Sequence, residues 1–466
     1  MGANNTSIKK FGFADKLGYM FGDFGNDFTF ILSSMFLLKF YTDVMGVSAG
    51  LVGLMMMAAR FVDAFTDVIM GQITDRSKVG AKGKFLPWIR RMCGPVAVAS
   101  LLMYASWFQD MSMGFKIFWM FFTYLLWGSI CYTGINIPYG SMASAISSEP
   151  AERAQLSNWR TIGATLANTV IGVALPLFVY YTDANGNSAL SGTKMSIAAL
   201  ACSICAVICY ILCYNMTTER VKLPQKTEKF DLRELLGSLV KNRALVGIVA
   251  ASICLLLAQL TLGAMSSYIY PNYFGNIRAQ SASGLVSTAV TLVCAAFTVK
   301  LSQKFGRKEL GIMSALFGAG ALVITFFLHT HNAWVFVGMY ALAYSGLAVY
   351  SLICWAMITD VIDDTEVRTG ERSDGTIYAV YSFARKLGQA ASSGLTGGLL
   401  AIVGYTQASA YEESVVNGIY NITCLVPAAG FILLAVVLKF LYPLGKKRVE
   451  DNARILEKKR SDHAAN

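Results

Sequence analysis

The chain has 466 residues, 55% of them hydrophobic and only 14% charged, with a mean hydropathy of +0.51. A soluble domain usually carries about 25% charged residues, so a water-soluble enzyme is excluded at the outset. The formal charge of +11 does not indicate nucleic acid either, because most Lys and Arg fall in alternate loops, as Arg76, Lys78, Lys82, Lys84, Arg90 and Arg91 do after the second apolar run. That alternation is the positive-inside pattern. It predicts both termini in the cytoplasm, hence an even number of spans, and the bilayer rather than nucleic acid as partner.

At the N-terminus, Met1-Gly2-Ala3-Asn4-Asn5-Thr6 fits a loose myristoylation pattern, and Asn4-Asn5-Thr6 and Asn5-Thr6-Ser7 fit the glycosylation sequon. A cytoplasmic N-terminus removes the sequons, and many spans make a lipid anchor redundant. The first apolar run is long and contains Asp23 and Asp27, so it does not read as a cleavable signal peptide. Apolar windows near the roughly 20 residues that cross a hydrocarbon core then follow at 18–41, 47–74, 87–108, 114–145, 158–181 and 192–215. After Thr217–Arg243, a charged stretch with Pro224, six more follow at 244–271, 279–303, 308–330, 332–359, 374–404 and 413–442.

The expected fold is therefore an all-α integral membrane protein of 12 transmembrane helices in two six-helix bundles. Residues 1–215 form the N-terminal bundle, 216–243 a cytoplasmic linker, 244–445 the C-terminal bundle and 446–466 a cytoplasmic tail. Leu232, Leu235, Leu236 and Leu239 suggest a short amphipathic helix in the linker. Six plus six around a charged linker is the layout of a major facilitator protein, whose halves are parallel repeats. Basic loops after the second helix of each half, Gly71–Arg76 and Leu301–Lys308, agree with such a repeat. Ten cysteines say little; Cys202, Cys205, Cys209 and Cys213 share a helical face but lack the polar support a metal needs, and read as packing residues.

Charges inside the windows carry the functional signal, since each costs about 2.5–3.5 kcal/mol at a helix centre and survives only beside a cavity or a partner. They are Asp23 and Asp27 in span 1, Arg60, Asp63 and Asp67 in span 2, Arg160 in span 5, and Arg385 and Lys386 in span 11. The i,i+4 spacing puts Asp63 and Asp67 on one face. Two carboxylates so close require a proton or a cation between them, and Thr66 can add a hydroxyl. The alternative is structural pairing of these carboxylates with Arg60, Arg160 or Lys386. In span 4, Pro138 frees a backbone carbonyl within Tyr132–Gly140, as in the interrupted helices that line transporter cavities, and Thr133 and Asn136 share one face there.

These residues resemble the glycoside–pentoside–hexuronide:cation symporters, a branch of the major facilitator superfamily. The resemblance rests on Gly22–Asp27, Phe40–Asp43, Arg60–Asp67, Gly80–Trp88, Asn136–Gly140, Glu152–Arg160, and the block from Asp360 through Thr369, Gly370, Arg372 and Gly375 to Arg385 and Lys386. It implies a cation site of Asp63, Thr66, Asp67 and Thr133. It also implies substrate contacts from Asp23, Asn26, Asp27, Tyr132, Asn136 and Arg160, with Tyr381, Ser382, Arg385 and Lys386 from the second half. Asp75, Arg76, Lys84, Asp360, Asp363, Asp364, Glu366 and Arg372, at cytoplasmic helix ends, are expected to form gate salt bridges.

Where melibiose permeases of that family have Asp and Trp, this chain has Asn136 and Gly140; where they have Asn, it has Thr66. Those departures, with Arg160, Arg385 and Lys386 nearby, point to an anionic glycoside such as a hexuronide or sulfosugar and leave Na⁺ or H⁺ open as the coupling ion. The expected protein is a monomeric secondary transporter of the bacterial inner membrane, without a cofactor beyond the coupling cation. The alternatives are a carrier of lipids or drugs on the same fold, or a non-transporting sensor. No nucleophile–base constellation suggests an enzyme.

Overall fold

The computed structural model describes residues 10–80, 82–221, 242–370 and 374–464. Helices account for most of them. The first half runs α1 (Phe13–Leu32), a π-helical stretch Ser33–Leu37, α2 (Leu38–Asp43), α3 (Ala49–Asp75), α4 (Leu86–Met103), α5 (Met113–Leu125), a second π-helical stretch Leu126–Tyr132, α6 (Thr133–Ile146), α7 (Pro150–Val179) and α8 (Gly192–Met216). A small hairpin of strands Tyr180–Thr182 and Ser188–Leu190 separates α7 from α8. The second half runs α9 (Arg243–Tyr268), a π-helical stretch Ile269–Tyr273, α10 (Ile277–Phe305), α11 (Arg307–Leu328), α12 (Ala333–Thr369), α13 (Asp374–Ile402), α14 (Glu413–Val436), a π-helical stretch Val437–Leu441 and α15 (Lys446–Ala464).

Nine helical runs among the described residues are long and apolar enough to cross a membrane. The other three apolar windows of the sequence coincide with Phe13–Asp43, Leu86–Met103 and Asp374–Ile402. The third window ends early, as α4 stops at Met103 and only a short 3₁₀ turn, Ser106–Phe108, follows. The linker leucines and Pro224 lie outside the described residues. The segment 446–464, expected as a tail, is the helix α15, with Asn452 and Leu456 buried against the bundle.

The chain packs as two compact units. The first holds Met1–Val47, Ala59–Tyr181 and Ala189–Lys229; the second holds Ser48–Ala58, Thr182–Ser188 and Phe230–Asn466. In the first unit α1 packs on α7 and α8, and α4 on α8 and α6. Close approach explains part of this: a Cβ on Gly25 would lie 3.0 Å from the Tyr210 ring and 3.1 Å from the Ala206 carbonyl. In the second unit α9 packs on α13 and α14, and α12 on α10, α11 and α15. The opening turns of α3 pack within this unit, where a Cβ on Gly53 would lie 2.8 Å from the Gly397 Cα.

The loop end of the first unit that carries the basic cluster is tied down by residues just after α8. Glu219 accepts backbone N–H bonds from Lys84, Phe85 and Leu86 at 2.6, 2.8 and 2.7 Å, closing the N-terminus of α4. These amides are free of intrahelical partners, and a carboxylate is the natural cap for them. Arg220 pairs with Asp15 at 2.8 Å, and the Thr218 N–H donates to the same carboxylate at 3.0 Å.

Candidate cation and substrate site

The fourth apolar window does not run as a plain α-helix. Over Leu126–Tyr132 it opens into a π-helix, and the Thr133 N–H reaches back five residues to the Gly128 carbonyl. Such bulges add a residue to the turn and re-aim the side chains beside them. Here the result is a pair of hydroxyls facing α3. Ser129 donates 2.6 Å to Oδ1 of Asp63, and Thr133 donates 2.7 Å to Oδ1 of Asp67. Gly128 completes the fit, since a Cβ there would sit 3.3 Å from both Asp63 carboxylate oxygens.

Asp63 is only 1% exposed and Asp67 is half-buried, so α3 presents both acids to α6 and its π-helical entry. Arg60 donates 3.3 Å to the other oxygen of Asp63. Its guanidinium carbon lies 5.2, 5.8 and 5.9 Å from the rings of Phe30, Tyr124 and Trp127. The cage compensates a desolvated cation through cation–π attraction. Thr66 turns its hydroxyl to the Asp63 carbonyl at 3.2 Å, which leaves its oxygen lone pairs for an incoming ion. The arrangement is an oxygen-rich cluster of two carboxylates and three hydroxyls, hard oxygen donors of the kind that suit monovalent ions and protons.

A second polar cluster lies on α1, α6 and α7. Arg160 donates 2.9 Å to Asp23, and its guanidinium carbon stands 5.6 Å from the Tyr139 ring. The Tyr139 hydroxyl donates 2.7 Å to the Tyr19 carbonyl. The Arg160 side chain is 45% exposed in the middle of a membrane helix, so its outer face remains available to a ligand. Asp27 sits one turn beyond Asp23, half-buried. Asn26 donates 3.3 Å to Oδ1 of Asn136 and accepts 2.9 Å from the Tyr210 hydroxyl. Tyr132 stacks on Phe30 at 6.0 Å. Because Phe30 also covers Arg60, one ring touches both clusters.

Six of the ten expected substrate residues therefore come together in the first unit. The alternative of structural pairing occurs as well, in Arg60–Asp63 and Arg160–Asp23. The remaining four lie on α13 of the second unit. Arg385 stands 5.5 Å from the Trp355 ring and 5.9 Å from that of Tyr381, which is buried. Ser382 is exposed and Lys386 half-buried on the same helix. Sequence reasoning missed Ser129 and Tyr210. Ser129 precedes Thr133 by four residues, a same-face spacing that could have found it; nothing local marks Tyr210.

Four of the eight expected gate charges, Asp75, Lys84, Asp360 and Asp364, form ion pairs inside their own units. Lys84 pairs with Asp75 at 3.7 Å and donates 2.7 Å to its carbonyl. Asp360 pairs with Arg307, and Asp364 with Arg448 at 2.9 Å and Arg368 at 3.8 Å. Arg76 is exposed, Asp363 and Glu366 lie on α12, and Arg372 falls outside the described residues.

Membrane-length helices with buried polar and charged side chains between them are the build of a membrane transporter. The model of the MFS/sugar transport protein family matches residues 18–446, and the chain belongs to that family. It is 30% identical over 444 residues to the glucuronide carrier protein homolog of Escherichia coli (strain K12), covering 93% of each chain. It is also 30% identical over 440 residues to the uncharacterized symporter YjmB of Bacillus subtilis (strain 168), covering 94% of this chain and 93% of that one. Among solved structures, a D-xylose–proton symporter superposes with a TM-score of 0.64 at 14% identity over 92% of this chain and 98% of that one, a likeness of fold.

Proposed function

We propose that the protein is a cation-coupled symporter that imports an anionic glycoside, a hexuronide or sulfosugar, across the bacterial inner membrane by alternating access. The observation that carries this reading is the pocket in which Ser129 and Thr133 each donate to one of two carboxylates a single turn apart. Asp63 and Asp67 repel when both are ionised in a low dielectric, and a bound Na⁺ or H⁺ relieves the repulsion. Relief of charge at that pocket steadies the α3–α6 contact and, through Phe30 and Tyr132, the Asp27–Asn136–Arg160 cluster that meets the sugar.

Sugar hydroxyls both donate and accept, which matches Asp27 and Asn136, while Arg160 offers a fork to a carboxylate or sulfonate. The naming of a relative as a glucuronide carrier supports an anionic cargo, and that of another as a symporter supports coupling. Cation and sugar then raise each other's affinity by the same factor. The protein works as a monomer with both termini cytoplasmic.

The test is uptake into proteoliposomes of labelled uronides, sulfosugars and neutral glycosides, with Na⁺ and H⁺ gradients imposed separately. Gradient-driven accumulation of an anionic glycoside is expected. Accumulation of neutral glycosides alone, or uptake indifferent to both gradients, would overturn the reading.

A further inference from the structure

The basic loop end of the first unit holds a cavity that this transport cycle does not use. Its volume is about 450 Å³, and it lies between the loop before α4, α4 itself and the last turns of α8. Lys82 and Arg90 converge there on one ring. The Lys82 ammonium is 4.1 Å from the centre of Tyr214, and Arg90 donates 3.4 Å to the Tyr214 hydroxyl. Neither cation forms an ion pair with a described residue. Glu219, the carboxylate held against this loop, is occupied by the amides of Lys84, Phe85 and Leu86. Two exposed cations beside one aromatic make a seat for a phosphate, which accepts from guanidinium and ammonium together.

The other wall of the cavity is apolar. Ile211 lines it, 48% exposed, and Ile208 and Ile204 continue the strip up α8 at 52% and 51% exposed. In a membrane chain that strip faces hydrocarbon. A soluble anion would leave it unused, whereas a lipid fills both parts. The basic loop end of such proteins also meets the leaflet rich in anionic lipid. The third feature is Tyr210, which forms the inner wall while its hydroxyl holds Asn26.

We propose that this cavity binds the phosphate of an anionic phospholipid between Lys82 and Arg90, with an acyl chain along Ile204, Ile208 and Ile211. Tyr210 relays its occupancy to Asn26 and Asn136. The site stands on its own geometry; the relay rests on the transport reading above.

Native mass spectrometry of the full-length protein with phosphatidylglycerol and phosphatidylcholine tests the site. The double variant Lys82→Gln/Arg90→Gln is expected to retain phosphatidylglycerol about 30-fold less well, as removal of two basic groups near the surface implies, with phosphatidylcholine unchanged. The charge-keeping pair Lys82→Arg/Arg90→Lys retains it, which separates loss of charge from misfolding. Equal retention by the Gln pair overturns the site, and displacement of the lipid by glycerol 3-phosphate overturns the lipid assignment in favour of a soluble anion.

For the relay, Tyr210→Phe keeps the lipid but abolishes the change that phosphatidylglycerol makes in glucuronide affinity. An unchanged lipid effect in Tyr210→Phe overturns the relay alone. Failure of any glycoside to bind overturns the transport reading, while lipid retention still decides the site.

Discussion

Ser129 and Asp63, 66 residues apart in sequence, are joined by a 2.6 Å hydrogen bond between buried side chains, a tie between α3 and the fourth window's π-helical turn. The bond is charge-assisted, and such bonds contribute about 1.5–3 kcal/mol. It holds the carboxylate at a fixed distance from its neighbour Asp67. Asp63→Asn is expected to abolish cation-dependent uptake while leaving exchange of sugar down its gradient measurable. Transport that still follows the imposed cation gradient in this variant would refute the role given to Asp63.

Thr133 serves Asp67 in the same way, at 2.7 Å. Thr133→Ala removes one oxygen from the pocket and one charge-assisted bond. The half-saturating cation concentration should rise roughly tenfold or more, and Thr133→Ser should restore it. The measurement is sugar uptake against cation concentration.

Arg160 balances Asp23 while its side chain stays partly exposed. Arg160→Gln should lose binding of an anionic glycoside. Arg160→Lys should recover little, because a point charge on a flexible stem does not reproduce the fork. Isothermal titration with a uronide and its neutral parent sugar checks this, and equal losses for both would show that the arginine serves only Asp23.

Asp364 receives Arg448 at 2.9 Å and Asn452 at 3.1 Å from α15. Asp364→Ala should release that helix from α12 without disturbing the bundle. Hydrogen exchange is expected to quicken across Lys446–Ala464 and to stay unchanged in α11. Unchanged protection of α15 would mean that burial of Leu456 alone holds it.

Residues one turn apart were readable in advance because helical periodicity depends on nothing beyond the chain itself. That is why Asp63 with Asp67, and Thr133 with Asn136, could be placed on their faces from spacing alone. The partners of Asp360 and Asp364 were not readable, since Arg307 and Arg448 lie 53 and 84 residues away and only packing brings them near. Tyr210 sits in an apolar, cysteine-rich helix whose composition gives no sign that its hydroxyl reaches Asn26, 184 residues earlier. The π-helical turn was hidden for another reason. Leu126–Tyr132 has the composition of ordinary membrane helix, and the extra residue is tolerated because hydrogen bonds to α3 compensate it.

That turn sets durability against activity. An ideal helix advances about 100° per residue, so deleting one residue from Leu126–Tyr132 would restore regular backbone bonding and yield a firmer span. The same deletion would swing Ser129 away from Asp63 by over a quarter of a revolution relative to the residues beyond it. A shortened fourth span would therefore give up the buried Ser129–Asp63 bond, and cation-driven uptake with it, whatever regularity its backbone gained.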